Sequence, residues 1–100
     1  MSEWLFHLTP QADWQPARRA GLYCPASLER EGFIHCSATR EQLAGVVERF
    51  FAGQGDLLLL RIDAALLTAP LRYEAADGHV FPHIYGPLNL DAVIEVTPWQ

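Results

Sequence analysis

The chain contains no lysine. Its positive charge rests on seven arginines, Arg18, Arg19, Arg30, Arg40, Arg49, Arg61 and Arg72, and the net charge is −5. These arginines are scattered and form no basic stripe, which argues against duplex nucleic acid and an anionic membrane surface as partners. There are only two cysteines, Cys24 and Cys36, outside CxxC spacing. With no second pair, they cannot complete a cysteine zinc site, and two free thiols fit a reducing cytoplasm. No apolar run approaches the ~20 residues of a membrane span. The stretch Met1 to Thr9 is too short to be the apolar core of a signal segment, and Glu3 and His7 break it. Neither a P-loop nor GxGxxG occurs, which removes the mononucleotide and Rossmann readings. We see no repeat, linker or low-complexity tract.

What remains is one domain over residues 1–100, half of it apolar. A chain of this size buries roughly 65% of its unfolded surface, enough to fold without staples. Trp4 to Leu8 reads as a strand and Thr9-Pro10 as a helix start. A helix through Asp13 to Ala20 ends at Gly21, with Pro16 in its first turn or at a kink. Ser27 caps a short turn, Leu28 to Glu31, closed by Gly32. Phe33 to Ser37 is a second strand. Thr39 opens the strongest helix, to about Ala52, with a capping box to Gln42 and a buried face of Leu43, Val46, Val47, Phe50 and Phe51. Leu57 to Asp63 is a continuous apolar strand, expected at the centre and covered on both faces. Further strands are read at Leu71 to Ala75, Val80 to Tyr85 and Ala92 to Thr97, with a turn at Gly86-Pro87-Leu88-Asn89. The fold class is α+β: small mixed, mainly antiparallel sheets with two or three helices.

Three of the four histidines begin the pattern His-x-hydroxyl: His7-Leu8-Thr9, His35-Cys36-Ser37 and His83-Ile84-Tyr85. On a strand, positions i and i+2 share a face, so each segment presents one imidazole with one hydroxyl. The opposite, buried faces would then hold Trp4, Phe6 and Leu8 in the first strand, and Ile34 and Cys36 in the second. The functional reading is a polar pocket that recognises a small molecule. The plainer reading is that each histidine bonds its own neighbours at a strand end. His79 and His83 have H-x3-H spacing, which suits a metal only on a helix or tight turn, and Pro82 argues against that. A metal held by His7, His35 and His83 is the weaker alternative, and no metal is expected. Cys36 lies beside His35, but adjacent strand residues face opposite sides, so no Cys–His dyad forms. Glu74 is the one carboxylate singled out, against the simpler reading of a solvated strand face. Asp63 is expected to cap the turn after its strand.

The blocks Gly32-Phe33-Ile34-His35-Cys36-Ser37 and Phe81-Pro82-His83-Ile84-Tyr85-Gly86-Pro87-Leu88-Asn89 resemble a small bacterial domain-of-unknown-function family, number 952. So do Arg49-Phe50-Phe51, Leu59-Leu60-Arg61-Ile62-Asp63 and Leu71-Arg72-Tyr73-Glu74, and the resemblance covers essentially the whole chain. More distantly, Phe6-His7-Leu8-Thr9 and Phe33-Ile34-His35-Cys36-Ser37 resemble the ADP-ribosyltransferase-like fold, whose members bind NAD in a cleft between two small sheets. That resemblance implies His7 on the ribose, His35 stacking or donating, and His83 with Tyr85 completing the site. Apart from the resemblance, the His-x-hydroxyl pattern sets Thr9 and Ser37 on the ligand, Glu74 is the carboxylate set beside them, and charge alone offers Arg18 or Arg19 for a phosphate. The segment around His83 lacks the glutamate usual in the third motif of that fold. The enzyme reading, on NAD or an ADP-ribosyl or nucleotide derivative, therefore stands beside a non-catalytic nucleotide-binding module and a structural or interaction domain.

Overall fold

The computed structural model describes residues 3–76 and 78–99. Among the described residues eight strands and three helices follow one another: β1 (Trp4–Pro10), α1 (Gln11–Ala20), β2 (Leu22–Tyr23), α2 (Ala26–Glu31), β3 (Ile34–His35), α3 (Arg40–Phe50), β4 (Leu57–Asp63), β5 (Leu71–Ala76), β6 (His79–Ile84), β7 (Leu88–Asn89) and β8 (Val93–Pro98). Short 3-10 turns occupy Ala64–Leu66 and Leu90–Ala92. The strands form two three-stranded sheets, ordered β1-β4-β8 and β3-β6-β5, and a two-stranded ribbon of β2 and β7. All pairings are antiparallel, so the class is α+β.

The strand β4 is central and apolar for the reason its unbroken run suggests. Leu60 and Ile62 face the main core, while Leu59 faces a second cluster with Leu8 and Leu43 beneath α3. Each fully buried aliphatic side chain of this kind contributes roughly 1.5–3 kcal/mol by leaving water. Asp63 ends the strand and accepts from the Ala65 amide at 3.0 Å, as its capping role requires. The second sheet shows a plain two-faced register. Ile34, Ile84 and Leu71 align on the core face, and one residue further along His35, His83 and Arg72 align on the opposite face.

Several boundaries differ from the sequence expectations. The helix α1 begins at Gln11 behind Pro10, so Pro16 lies within it. The helix α2 begins at Ala26 behind Pro25, without a side-chain cap from Ser27. In α3, Thr39 does accept from the Gln42 amide at 3.1 Å, but the Gln42 side chain returns to the amide of Ala38 rather than Thr39. Only Leu43 of that helix is buried, and Phe50 is 69% exposed. Leu88 and Asn89 are not a free turn. They pair with Tyr23 and Leu22, and both are buried.

The largest correction concerns β1. The face expected to be polar is the one turned inward: Leu5, His7 and Thr9 are all buried. Phe6 and Leu8 pack instead on the second cluster below α3. Because β1 carries packing on both faces, two-residue alternation could not tell which was the core face.

Candidate functional site

The two three-stranded sheets meet at residues 36–37. The Cys36 amide donates to the Pro82 carbonyl at 3.1 Å, and Phe6 and Ser37 exchange amide hydrogen bonds at 2.8 and 2.7 Å. This join brings His7 beneath the backbone of β3. A carbonyl can only accept, so His7 Nδ1–H donates to the His35 carbonyl, at 2.5 Å. Burial lowers the His7 pKa from 6.5 to about 4, so the ring is neutral. Its Nε2 then accepts from the Tyr23 hydroxyl at 2.8 Å, and both nitrogens are used. The Tyr23 hydroxyl is pushed up to about 12, mainly by burial, against which its contact with Thr9 acts.

His7 is therefore a buried support for β3. The role on a ribose that the resemblance implied is not open to it in this geometry. Thr9 is also sealed inside, with its hydroxyl directed to the Pro10 carbonyl at 3.3 Å. Ser37 is buried and serves the sheet junction through its backbone. Neither hydroxyl stands beside an exposed imidazole as the His-x-hydroxyl pattern had suggested: Thr9 shares the face of His7, but that face is buried, and Ser37 lies beyond the regular strand β3, which stops at His35.

On the outer face of the second sheet the arrangement differs. His35 and His83 are register partners, and their rings meet edge to face with centroids 5.4 Å apart. Phe33 stacks on His83 at 4.1 Å and 22°, and lies 4.8 Å from His35 and 5.2 Å from Tyr85. Each histidine is held by a carboxylate. His35 Nε2–H donates to Glu31 Oε2 at 2.8 Å, across the end of α2, and His83 Nδ1–H donates to Glu74 Oε1 at 2.7 Å, across β5 and β6. Tyr85 O–H also donates to Glu74 Oε1, at 2.5 Å. Glu74 is held below the usual carboxylate range by the Tyr85 hydroxyl and then by His83, and Glu31 by its bond to His35. The Tyr85 hydroxyl is raised by the same contact with Glu74. The Arg72 guanidinium lies over the Tyr85 ring at 5.1 Å.

Four sequence candidates thus come together: His35, His83, Tyr85 and Glu74. Sequence reasoning missed Glu31, Phe33, Arg72 and the supporting Tyr23. Phe33 was within reach, since it shares a face with His35 by the same i, i+2 rule. Glu31 carried a weaker signal, four residues before His35. Tyr23 carried none, because its meeting with His7 depends on the β2-β7 ribbon. Arg18 and Arg19 line grooves of about 560 and 510 Å³ along α1, and no histidine lines either one. His79 lies four strand residues from His83, about 13 Å by strand geometry, and packs on Phe81 at 6.0 Å. Among the described residues no group of three or more His, Cys, Asp or Glu side chains could hold a metal. Cys36 is buried in apolar surroundings that push its thiol up, which does not suit a nucleophile. Among the described residues no helix is long and apolar enough to cross a membrane.

An antiparallel α+β domain with a ring-and-carboxylate cluster on one sheet is the class of protein the geometry defines. The family described as "Protein of unknown function (DUF952)" matches residues 8–96, and the chain belongs to it. The crystal structure of protein CC0527 from Caulobacter crescentus is similar, with 32% identity and a TM-score of 0.87, over 97% of this chain and 86% of that one. The solution structure of the same protein gives 32% identity and a TM-score of 0.80, over 96% and 84%. No curated protein matches this chain.

Proposed function

We propose that the domain binds NAD through its positively charged nicotinamide ring, on the outer face of β3-β6-β5, and releases or transfers the ADP-ribosyl group. The observation that carries this reading is the set of four rings, Phe33, His35, His83 and Tyr85, edged by the Glu31 and Glu74 carboxylates. Aromatic faces attract a flat cation, and two carboxylates favour it further. As the ring leaves the ribose, positive charge moves onto the sugar, where a nearby anion lowers the barrier. Glu74, supplied by β5, offers the carboxylate that the His83 segment lacks. The resemblance of Phe6-His7-Leu8-Thr9 and Phe33-Ile34-His35-Cys36-Ser37 to the ADP-ribosyltransferase-like fold supports the same chemistry. In this reading His7 acts only by fixing the His35 backbone.

A module that binds the nucleotide without turnover is the second reading. It is favoured by Glu74 being already engaged by two donors, which leaves its charge partly spent. The test is a titration with NAD, NADH and ADP-ribose followed by NMR, with released nicotinamide measured in parallel. The first reading expects shifts at Phe33, His35, His83 and Tyr85 together with free nicotinamide. Shifts alone support the second, and no shift at millimolar NAD overturns both.

A further inference from the structure

The cluster contains a group that NAD binding alone does not use. His83 Nδ1 carries its proton to Glu74, so the lone pair of the neutral ring lies on Nε2. Among the described residues nothing bonds this Nε2, and His83 itself is 7% exposed, so the unbonded nitrogen lies just beneath the surface of the sheet. The ring itself is fixed on two sides, by Phe33 stacked at 4.1 Å and by Glu74 at 2.7 Å. An imidazole oriented by a carboxylate, with its other nitrogen unbonded, is the arrangement a general base requires. His35 differs: its ring is more than half exposed, and its carboxylate partner Glu31 is exposed as well.

Resting on the NAD reading, we propose that His83 is the general base of this site, that Glu74 and Phe33 position it, and that its substrate-side partner is water, which makes the reaction a hydrolysis. The bond from ribose C1′ to the nicotinamide nitrogen breaks, and its electron pair returns to the ring, which leaves as neutral nicotinamide. Water oxygen forms the new bond to C1′. One water proton passes to His83 Nε2 and then to solvent, giving ADP-ribose, nicotinamide and one proton. Nothing is oxidised or reduced.

The experiment incubates the full chain with NAD and measures nicotinamide and ADP-ribose, for the wild type and for His83→Asn. The expected result is equimolar products, a slower kcat in heavy water, and a loss of about 100-fold or more in kcat for His83→Asn, the usual scale of general-base catalysis. NAD-induced shifts at Phe33 and Tyr85 should still appear in that variant at higher NAD concentration, since three of the four rings remain, and at saturating NAD added imidazole should restore part of its rate. NAD binding without ADP-ribose formation overturns the inference and spares the binding reading. Wild-type turnover by a folded His83→Asn overturns it too. If that variant does not fold, the wild-type solvent isotope effect decides, and an unchanged kcat in heavy water counts against a proton transfer. Absence of NAD binding overturns the inference together with the reading beneath it.

Discussion

The imidazole of His7 donates through Nδ1 to the backbone carbonyl of His35, a residue 28 positions later in the chain. One buried side chain on the first sheet thereby fixes the strand whose outer face carries the ring cluster. The neutral ring serves its other side, where Nε2 accepts from the Tyr23 hydroxyl, while the bond to the His35 carbonyl by itself favours the protonated form and is outweighed by burial. The stability of the fold and the geometry of the outer face are therefore coupled through a single imidazole.

That coupling predicts a pH dependence. In the unfolded chain His7 takes up a proton near 6.5, while in the folded protein it does so only near 4. Between these values the unfolded state binds the extra proton, so stability falls with falling pH. No stability is lost to this group above 6.5, and the loss reaches roughly 3 kcal/mol by pH 4. Glu31 and Glu74 act in a lower window, since their lowered values cost stability only below about 4.5. Urea unfolding between pH 4.5 and 7.5 should show the slope, and His7→Asn should remove most of it.

Tyr23→Phe deletes the hydroxyl that donates to His7 Nε2 and leaves a buried acceptor without a partner. The cost should be about 1–3 kcal/mol in urea unfolding at pH 7. A variant as stable as the wild type would mean that water replaces the hydroxyl.

Gly86 follows Tyr85 and passes close to the loop before β5. A Cβ at this position would lie 2.9 Å from the Cβ of Ala69. Gly86→Ala should destabilise by about 1–3 kcal/mol. It should also shift the Tyr85 hydroxyl signal, since the bond to Glu74 depends on that backbone. Combining it with Ala69→Gly should recover much of the loss, and thermal unfolding of the three variants checks this.

Glu31 lies at the exposed edge of the cluster, where an ion pair contributes little, so Glu31→Gln should lower the urea midpoint only slightly. If the carboxylates attract a cationic ring, the same variant should weaken NAD binding and leave NADH binding alone. Isothermal titration distinguishes the two effects.

The sequence carried the local signals and not the long-range ones. Thr39 with Gln42, Gly21 and Gly32 as helix ends, and the apolar run of β4 were all legible, because each depends on neighbours in the chain. The face of β1 was misread because Phe6 and Leu8 serve a second small core, so both faces looked apolar by turns. Leu88 and Asn89 looked like a turn because a two-residue strand has too few positions to show a period. Once folded, Asn89 accepts from the Thr68 amide and hydroxyl and donates to the Leu66 carbonyl, tying a loop more than twenty residues away. Half of the candidate site was legible: His35, His83, Tyr85 and Glu74 were named. Thr9 and Ser37 share the pattern but face inward. The meeting of Glu74 with His83 needed the β5-β6 register, which no local pattern contains.

The central claim is that the outer face of β3-β6-β5 recognises a flat, positively charged ring. The most direct measurement is a matched NMR titration with NAD and NADH, which differ at the nicotinamide in charge while sharing the rest of the nucleotide. The account predicts shifts at Phe33, His35, His83 and Tyr85 with NAD, clearly weaker shifts with NADH, and a smaller difference between the two in Glu74→Gln. Equal responses to both nucleotides, or shifts confined to the α1 grooves, would contradict it.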